Sequence, residues 1–191
     1  MRPAIAHISK KFGDHSDALL FGAEIGVYQG DHAEEILNAL KPDLLYLIDP
    51  WNAYETDGRY GDWMKRVRGE RAFEKWKNKD WDAIHLGVCE RFTGREDVVV
   101  YRIKSEDIGS VISRGVPDFI YIDGSHEYEQ VLRDLRNAWT LIRPGGVLGG
   151  HDYRADTQAD VVRAVDEFAA EIGIPVQHAE TDFWFDRPEH E

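Results

Sequence analysis

Residues 118–153 read DFIYIDGSHEYEQVLRDLRNAWTLIRPGGVLGGHDY, and this stretch contains three consecutive structural elements. The apolar run Phe119–Ile122 lies between Pro117 and Gly124, which is typical of a short buried strand. Apolar residues then recur at helical spacing and predict a helix; they are Tyr128, Val131, Leu132, Leu135, Trp139 and Ile142. Pro-Gly-Gly ends that helix, and Val147–Gly150 forms the next strand. The order strand, helix, strand predicts a parallel sheet covered by helices.

The rest of the chain continues this alternation, so we expect one α/β domain spanning residues 1–191. Further strands are predicted at Phe21–Val27, Leu44–Ile48 and Val98–Ile103, with a terminal hairpin near Val176–Ala179 and Asp182–Phe185. Further helices are predicted from Gly30 to Leu40, from Asp62 to Trp76, from Trp81 to Phe92, from Ser105 to Ile112 and from Val162 to Ile172. Asp31 is predicted to cap the first of these helices, with Glu34 completing a capping box.

The loop after the first strand contains the pattern Glu24-x-Gly26-x-x-x-Gly30. Glycines allow the backbone to approach a ligand closely, and open parallel sheets bind ligands beyond the carboxyl ends of their strands. An acidic residue does not suit a pyrophosphate, which prefers G-x-G-x-x-G and free helix amides. S-adenosylmethionine carries a sulfonium and an ammonium, so the Glu24 carboxylate favours this cofactor. The alternative is a purely structural glycine turn.

Two further strand ends are candidate cofactor positions. Asp49 ends the second strand about 20 residues after the glycine loop, where ribose hydroxyls are commonly bound. Its alternative role is that of a turn residue in Asp49-Pro50. Ser105 follows the third strand, at a position that commonly borders an adenine ring, although it is equally suited to cap a helix.

These motifs together resemble the small class I methyltransferases, especially those related to macrolide-sugar O-methyltransferases. The resemblance depends on I-D-G-x-H-x-Y, the amphipathic helix, P-G-G-hydrophobic and the closing His-Asp, together with Glu24, Gly26, Gly30 and Asp49. It covers about residues 21–153. It implies a Rossmann-like, doubly wound sheet of seven strands in the order 3-2-1-4-5-7-6, with the last strand antiparallel. It also implies S-adenosylmethionine as cofactor.

The implied strand order places the fourth strand beside the first and the fifth beside the fourth. Because neighbouring strands are about 4.8 Å apart, Asp123, His126, His151 and Asp152 should then converge beside the methyl group. Asp123 should also border the cofactor.

In metal-dependent relatives, an aspartate after strand four and an acidic or amide pair after strand five hold a divalent cation. Asp123 and Asp152 match that pattern and predict Mg²⁺, with His151 as an added or water-bridged ligand. His151 stands where relatives often have a carboxylate, and an imidazole favours a transition metal instead. The alternative is that both aspartates only cap helices or turns.

Methylation of a hydroxyl requires a base, and histidine titrates closest to neutral pH. His126 follows Asp123 by three residues and is the predicted catalytic base, with His151 in reserve. The resemblance points to the same histidine through I-D-G-x-H. The alternative is that His126 caps the following helix or contacts Asp152 without touching the substrate.

Composition limits the partners. The formal charge of −13 argues against nucleic acid, and no apolar run approaches the roughly 20 residues of a membrane helix. The single cysteine, Cys89, excludes an internal disulfide, so a reducing cytoplasm is the expected location. We therefore expect a small-molecule acceptor, no nucleic acid and no membrane. The sequence does not identify the acceptor atom or the oligomeric state, and it is compatible with a homo-oligomer.

Residues 52–80 are the candidate substrate lid. Residues 59–79 contain eight of the 23 lysines and arginines, which indicates either a solvated helix face or a cap that meets a polar or anionic substrate. The leading hypothesis is O-methylation of a small polar molecule such as a sugar, and an amine acceptor stays open. The alternatives are a nicotinamide-dependent oxidoreductase and a non-catalytic module that binds S-adenosylmethionine. The missing G-x-G-x-x-G disfavours the oxidoreductase.

Overall fold

The computed structural model describes residues 1–13, 18–52 and 59–189. Its strands are β1 Phe21–Ile25, β2 Leu44–Asp49, β3 Val98–Arg102, β4 Phe119–Ile122, β5 Val147–Gly150, β6 Gln177–Ala179 and β7 Asp182–Asp186. Its α-helices are α1 Pro3–Phe12, α2 Asp31–Leu40, α3 Arg59–Arg68, α4 Glu70–Lys77, α5 Trp81–Arg91, α6 Tyr128–Leu141 and α7 Ala159–Ile172, and a 3₁₀ helix spans Ser105–Ser110. Residues 53–58 of the candidate lid lie outside the described residues.

The strands form one seven-stranded sheet in the order β3-β2-β1-β4-β5-β7-β6, which confirms the predicted topology. β1 pairs in parallel with both β2 and β4, and β4 pairs in parallel with β5. β7 is antiparallel to β5 and to β6. The connections therefore change direction between β1 and β4, and the carboxyl ends of β2, β1, β4 and β5 lie side by side, where such sheets bind ligands.

Each face of the sheet is covered by its own helices and core. One buried cluster joins Ile25, Ile120 and Ile122 to α6 and α7, and the other joins Leu45, Phe119 and further strand residues to α1, α2 and α5. Burying one large apolar side chain contributes about 1.5–3 kcal/mol, so these two layers hold the strand ends in place. Within the described ranges, the structure contains no helix long and apolar enough to cross a membrane.

Helix α1 was not predicted from the sequence. Pro3 stands in its first turn, where the missing N–H costs nothing, and Ala4, Ile5 and Ile8 are fully buried. The backbone N–H of Ala4 donates to Asp182 Oδ2 at 3.0 Å, so β7 supplies a partner for the helix start. α1 is therefore stabilised by contacts with the distant end of the chain.

Three further differences from the predicted elements involve glycines with positive φ. The helix predicted from Asp62 to Trp76 is two helices, α3 and α4, because Gly69 between them has φ +86°. The first strand ends at Ile25, since Gly26 turns the chain with φ +89°. Gly30, not Asp31, is the capping residue of α2, and the Asp31 side chain contacts Arg91 at 2.7 Å instead. The predicted helix after β3 is the shorter 3₁₀ helix.

Candidate active site

The glycine loop between β1 and α2 contacts the end of β4. A Cβ at Gly26 would lie 2.3 Å from the backbone oxygen of Asp123, so no other residue fits there without a backbone shift. A Cβ at Gly30 would lie 3.0 Å from Cε2 of Phe92, and its φ of +83° also favours glycine. Gly26 is therefore required by the close approach of the two strand ends.

Glu24 lies beneath this loop and is fully buried. Its Oε1 is 2.8 Å from His32 Nδ1, and the His32 and Tyr121 rings pack with centroids 4.4 Å apart. Burial raises the pKa of Glu24, although the contact with His32 opposes that shift. Glu24 Oε2 and His32 Nε2 are buried and have no hydrogen-bond partner among the described residues. The predicted cofactor carboxylate is thus one half of a buried pair with an imidazole.

Asp49 holds the glycine loop against the end of β2. Its two carboxylate oxygens accept hydrogen bonds from the backbone N–H of Tyr28 at 3.0 Å and of Trp51 at 2.7 Å. Burial raises the pKa of Asp49, and these backbone donors act in the opposite direction. Trp51, which sequence reasoning did not select, is fully buried and donates from Nε1 to the carbonyl of Tyr28 at 2.8 Å. The backbone N–H of Val27 is a third donor to this carboxylate, whose two oxygens together can accept about four hydrogen bonds.

Ser105 belongs to a partly buried polar cluster between the 3₁₀ helix and α6. Gln130 Nε2 donates to Ser105 Oγ at 3.1 Å and to Asp134 Oδ1 at 2.9 Å. Burial raises the pKa of Asp134 to about 6, although its hydrogen bonds with Ser105 and Gln130 oppose that shift. Lys104 is the residue before the 3₁₀ helix, so Ser105 is not its cap.

The structure brings together the four polar residues that follow β4 and β5. His126 Nε2 lies 2.7 Å from Asp152 Oδ2, and His151 Nδ1 lies 3.5 Å from the same oxygen. His151 Nδ1 is also 3.6 Å from Asp123 Oδ1. Asp123, His126 and Asp152 each offer a ligand atom within 4.8 Å of the others, which is the spacing of a metal site. Asp152 holds a left-handed backbone with φ +64°.

Two arginines complete this cluster, and sequence reasoning missed both. Arg2, just before α1, places Nη1 2.7 Å from Asp123 Oδ2 and 2.9 Å from Tyr121 Oη. Arg154 Nε lies 3.7 Å from Asp152 Oδ1. Arg154 follows the His151-Asp152 pair closely in sequence, so proximity could have drawn attention to it. Arg2 is brought to the site only by the docking of α1.

The charges around the cluster set its protonation. Burial would raise the pKa of Asp152, but hydrogen bonds from His126 and His151 outweigh it and lower that pKa. Asp123 is affected in the same way, with burial opposed by His151 and Arg2, and its pKa is lowered. Burial would lower the pKa of His151, but Asp123 and Asp152 outweigh it and raise the pKa to about 9. Both carboxylates are therefore ionised at neutral pH.

Helix α3, from the candidate lid, lies over His126. The Trp63 and His126 rings have centroids 5.3 Å apart at an interplanar angle of 50°, and Trp63 is buried. Arg66 Nη2, one turn further along α3, lies 3.7 Å from Asp160 Oδ2 on α7. The described part of the predicted lid thus contributes an aromatic ring next to the predicted base.

A family model for methyltransferase domains matches residues 23–153, which is more than half of the 191-residue chain. The matched region includes the glycine loop and all four polar residues at the ends of β4 and β5. The chain therefore belongs to this methyltransferase family, and it is a class I S-adenosylmethionine-dependent methyltransferase. A search of curated protein sequences gave no match.

Solved structures share the fold. The O-methyltransferase NovP superposes with a TM-score of 0.68 at 19% identity, covering 97% of this chain and 78% of NovP. The N-methyltransferase NodS from Bradyrhizobium japonicum, in complex with S-adenosyl-L-homocysteine, gives 0.58 at 15% identity, covering 98% of this chain and 89% of NodS. Aeropyrum pernix fibrillarin with bound S-adenosyl-L-methionine gives 0.55 at 12% identity, covering 95% and 75% of the two chains. At these identities the likeness shows the fold.

Proposed function

We propose that this methyltransferase transfers the methyl group of S-adenosylmethionine to a hydroxyl of a small polar molecule such as a sugar, with His126 as the general base. The observation that carries this proposal is the 2.7 Å contact between His126 Nε2 and Asp152 Oδ2 at the exit of β4 and β5. A base held by a carboxylate, beside the glycine loop, is the arrangement that proton removal from an alcohol requires.

The contact with Asp152 assigns a role to each ring nitrogen of His126. A carboxylate at this distance favours a proton on Nε2, which leaves Nδ1 as the lone-pair atom that accepts the substrate proton. Asp152 stays ionised. Burial would raise its pKa, but the neighbouring imidazoles of His126 and His151 outweigh burial and lower it. Asp152 thus orients His126 and stabilises the imidazolium that forms when the alcohol attacks the methyl carbon. The departing thioether is neutral and needs no acid.

The cofactor assignment places S-adenosylmethionine across the ends of β2, β1 and β4. We assign to it the residues Glu24, Gly26, Gly30, Asp49, Ser105 and Asp123. Asp49 offers its remaining lone pairs to the ribose while it holds the loop. Glu24 acts indirectly, because its carboxylate is enclosed beneath the loop and paired with His32. Ser105 borders the adenine through its backbone, because its hydroxyl is engaged with Gln130.

The acceptor is assigned from its surroundings. Trp63 presents an aromatic ring beside His126, and such rings suit the apolar face of a sugar or another small ring. NovP is an O-methyltransferase and NodS is an N-methyltransferase, so fold likeness leaves both acceptor atoms open. The presence of a base favours an oxygen acceptor, because a neutral alcohol depends on a base more strongly than an amine does. Fibrillarin shares the fold, but the net charge of −13 here disfavours RNA.

Magnesium does not fit these residues. Mg²⁺ needs free oxygen ligands, yet the Asp123 oxygens face Arg2 at 2.7 Å and His151 at 3.6 Å. The Asp152 oxygens face His126 at 2.7 Å and Arg154 at 3.7 Å. The third group of the metal-spaced set, His126, is an imidazole, which magnesium does not favour. The proposed methyl transfer therefore uses no metal ion.

The proposal is tested with the purified chain in two stages. Calorimetric titration with S-adenosylhomocysteine, NAD and NADP should show binding of the first alone, with the same affinity before and after chelator treatment. Release of S-adenosylhomocysteine is then measured with a panel of sugars, phenols and matched amines. Turnover of hydroxyl acceptors that responds to loss of His126 supports the proposal. Turnover of amines alone would replace it with N-methylation.

A further inference from the structure

We propose that Arg2 takes the place of a divalent cation beside Asp123, so that this active site carries its positive charge in the protein itself. Arg2 Nη1 lies 2.7 Å from Asp123 Oδ2, so the guanidinium occupies the oxygen that a metal ion would need as a ligand. Arg2 is thereby a positioning residue, because it acts on the substrate site through Asp123.

The guanidinium is held from two sides. Its Nη1 also donates to Tyr121 Oη at 2.9 Å, and Tyr121 in turn donates to Asp182 Oδ1 at 3.1 Å. The backbone N–H of Arg2 donates to Glu35 Oε1 on α2 at 2.8 Å. A charge-assisted hydrogen bond of this length is among the stronger polar contacts in proteins, and here both of its ends are fixed.

Helix α1 delivers the arginine to the site. Ala4 N–H donates to the other oxygen of Asp182, at 3.0 Å, so Asp182 fixes the helix start and the Tyr121 hydroxyl together. Ala4 and Ile5 are fully buried directly behind Arg2. The first residues of the chain are thus a wall of the active site.

The charge balance supports the same conclusion. Asp123 and Asp152 supply two negative charges, and Arg2 and Arg154, which stay protonated in proteins, supply two positive charges at 2.7 Å and 3.7 Å. His151 Nδ1 lies 3.6 Å from Asp123 Oδ1 and adds further positive charge, so an added divalent ion would leave more than two excess positive charges in a partly buried site. The sulfonium of the cofactor would bring one more. Coulomb repulsion at these separations disfavours metal binding while Arg2 is in place.

The inference predicts that removing Arg2 creates a metal site. Mn²⁺ binding to the 191-residue chain, saturated with S-adenosylhomocysteine, is measured by calorimetry for the parent, Arg2→Ala, Arg2→Gln and Arg2→Lys. The parent and Arg2→Lys should show no specific binding. Arg2→Ala and Arg2→Gln should bind one Mn²⁺ per chain at least about tenfold more tightly than the parent, a gain that adding Asp123→Asn abolishes.

Arg143→Ala is the matched control. Arg143 pairs with another buried aspartate, Asp118 just before β4, at 2.6 Å, so its loss also exposes a carboxylate but should create no Mn²⁺ site. A parent chain that binds one Mn²⁺ through Asp123 would overturn the inference. So would an Arg2→Gln variant that binds S-adenosylhomocysteine normally and gains no metal.

The inference rests on the proposed function only in treating Asp123 as part of the active site. The Mn²⁺ measurement requires neither an acceptor nor turnover. A failed search for hydroxyl acceptors would therefore count against the proposed reaction and leave the metal result standing. A parent that binds Mn²⁺ would count against Arg2 and leave the reaction open.

Discussion

Asp152 at the end of β5 and Asp134 on α6 are both buried aspartates, with 7% and 2% of their surface exposed. Burial raises the pKa of Asp134 to about 6, because its hydrogen-bond partners, Ser105 and Gln130, are neutral. At Asp152 burial acts in the same direction, but His126 and His151 outweigh it and lower the pKa. Burial alone thus does not mark the functional carboxylate. Asp152 differs from Asp134 in the imidazoles and arginine that surround it, and substitutions at these and related residues test that difference.

The largest expected effect is on turnover. His126→Ala removes the group that takes the substrate proton, so kcat should fall about 10²–10⁴-fold while affinity for S-adenosylhomocysteine stays near the parental value. Turnover is measured with an identified acceptor at saturating cofactor. His178→Ala removes an exposed histidine on β6 and serves as the control. Parental turnover in His126→Ala would reduce the contact with Asp152 to a structural one.

A second effect concerns a carboxylate between the two extremes. Burial raises the pKa of Asp49, although its carboxylate accepts hydrogen bonds from two backbone N–H groups. Asp49 is also the residue assigned to the ribose. Losing a charge-assisted bond costs about 1.5–3 kcal/mol, so Asp49→Ala should weaken S-adenosylhomocysteine binding by up to about a hundredfold. Calorimetry measures this directly.

Asp43→Ala is the control for Asp49. Asp43 also accepts a backbone N–H, from Leu20 at 2.8 Å, but at the opposite end of β2. It should therefore lower stability without changing cofactor affinity. Equal affinity in Asp49→Ala and the parent would remove Asp49 from the ribose site and leave it the role of holding the loop.

The difference between Asp152 and Asp134 also shows what the sequence can predict. Strand order and the convergence of Asp123 with Asp152 follow from local apolar runs and the resemblance, because parallel strand ends share one edge. The pKa shifts depend on neighbours far apart in sequence. Arg2 is 121 residues from Asp123, and the docking of α1 that brings Arg2 there is a tertiary contact, so no local pattern predicted this pair.

The lid gives a second example of this limit. One helix was predicted from Asp62 to Trp76, but Gly69 divides that segment into two helices. The two helices separate because Gly69 has φ +86°. A glycine can adopt this conformation but can also continue a helix, so its presence alone does not predict the break. The placement of Trp63 against His126 is a tertiary contact that periodicity cannot supply.

A third effect tests the buried carboxylate with neutral partners. The pKa of Asp134 in the fold, about 6, lies above the ordinary aspartate value of 3.8. This contribution to the stability of the fold is therefore fully present below about pH 3.8 and is lost as pH rises through about 6. Asp134→Asn removes the charge and keeps an acceptor for Gln130. It should therefore raise the free energy of unfolding at pH 7 by about 1–3 kcal/mol, a gain that disappears near pH 4.

Denaturant titrations at the two pH values measure the Asp134 effect. Asp107→Asn, which changes an exposed aspartate on the 3₁₀ helix, is the control and should alter stability little at either pH. A variant Asp134→Asn that is less stable than the parent at pH 7 would show that the ionised form is satisfied in the fold, and the contrast with Asp152 would fail.

The smallest expected effect is on the pH dependence of stability, and it tests the charged side of the comparison. Burial would lower the pKa of His151, but Asp123 and Asp152 raise it to about 9, above the ordinary histidine value of 6.5. The stabilising contribution of the imidazolium is thus fully present below about pH 6.5 and is lost as pH rises through about 9. Arg2 limits the gain by repulsion, and partial exposure screens it, so we expect about 1 kcal/mol. Unfolding free energy should fall more steeply from pH 7 to 9.5 in the parent than in His151→Gln. Equal slopes would show that the carboxylates do not hold a proton on His151, and the arginines would then be their only effective counter-charges within the described residues.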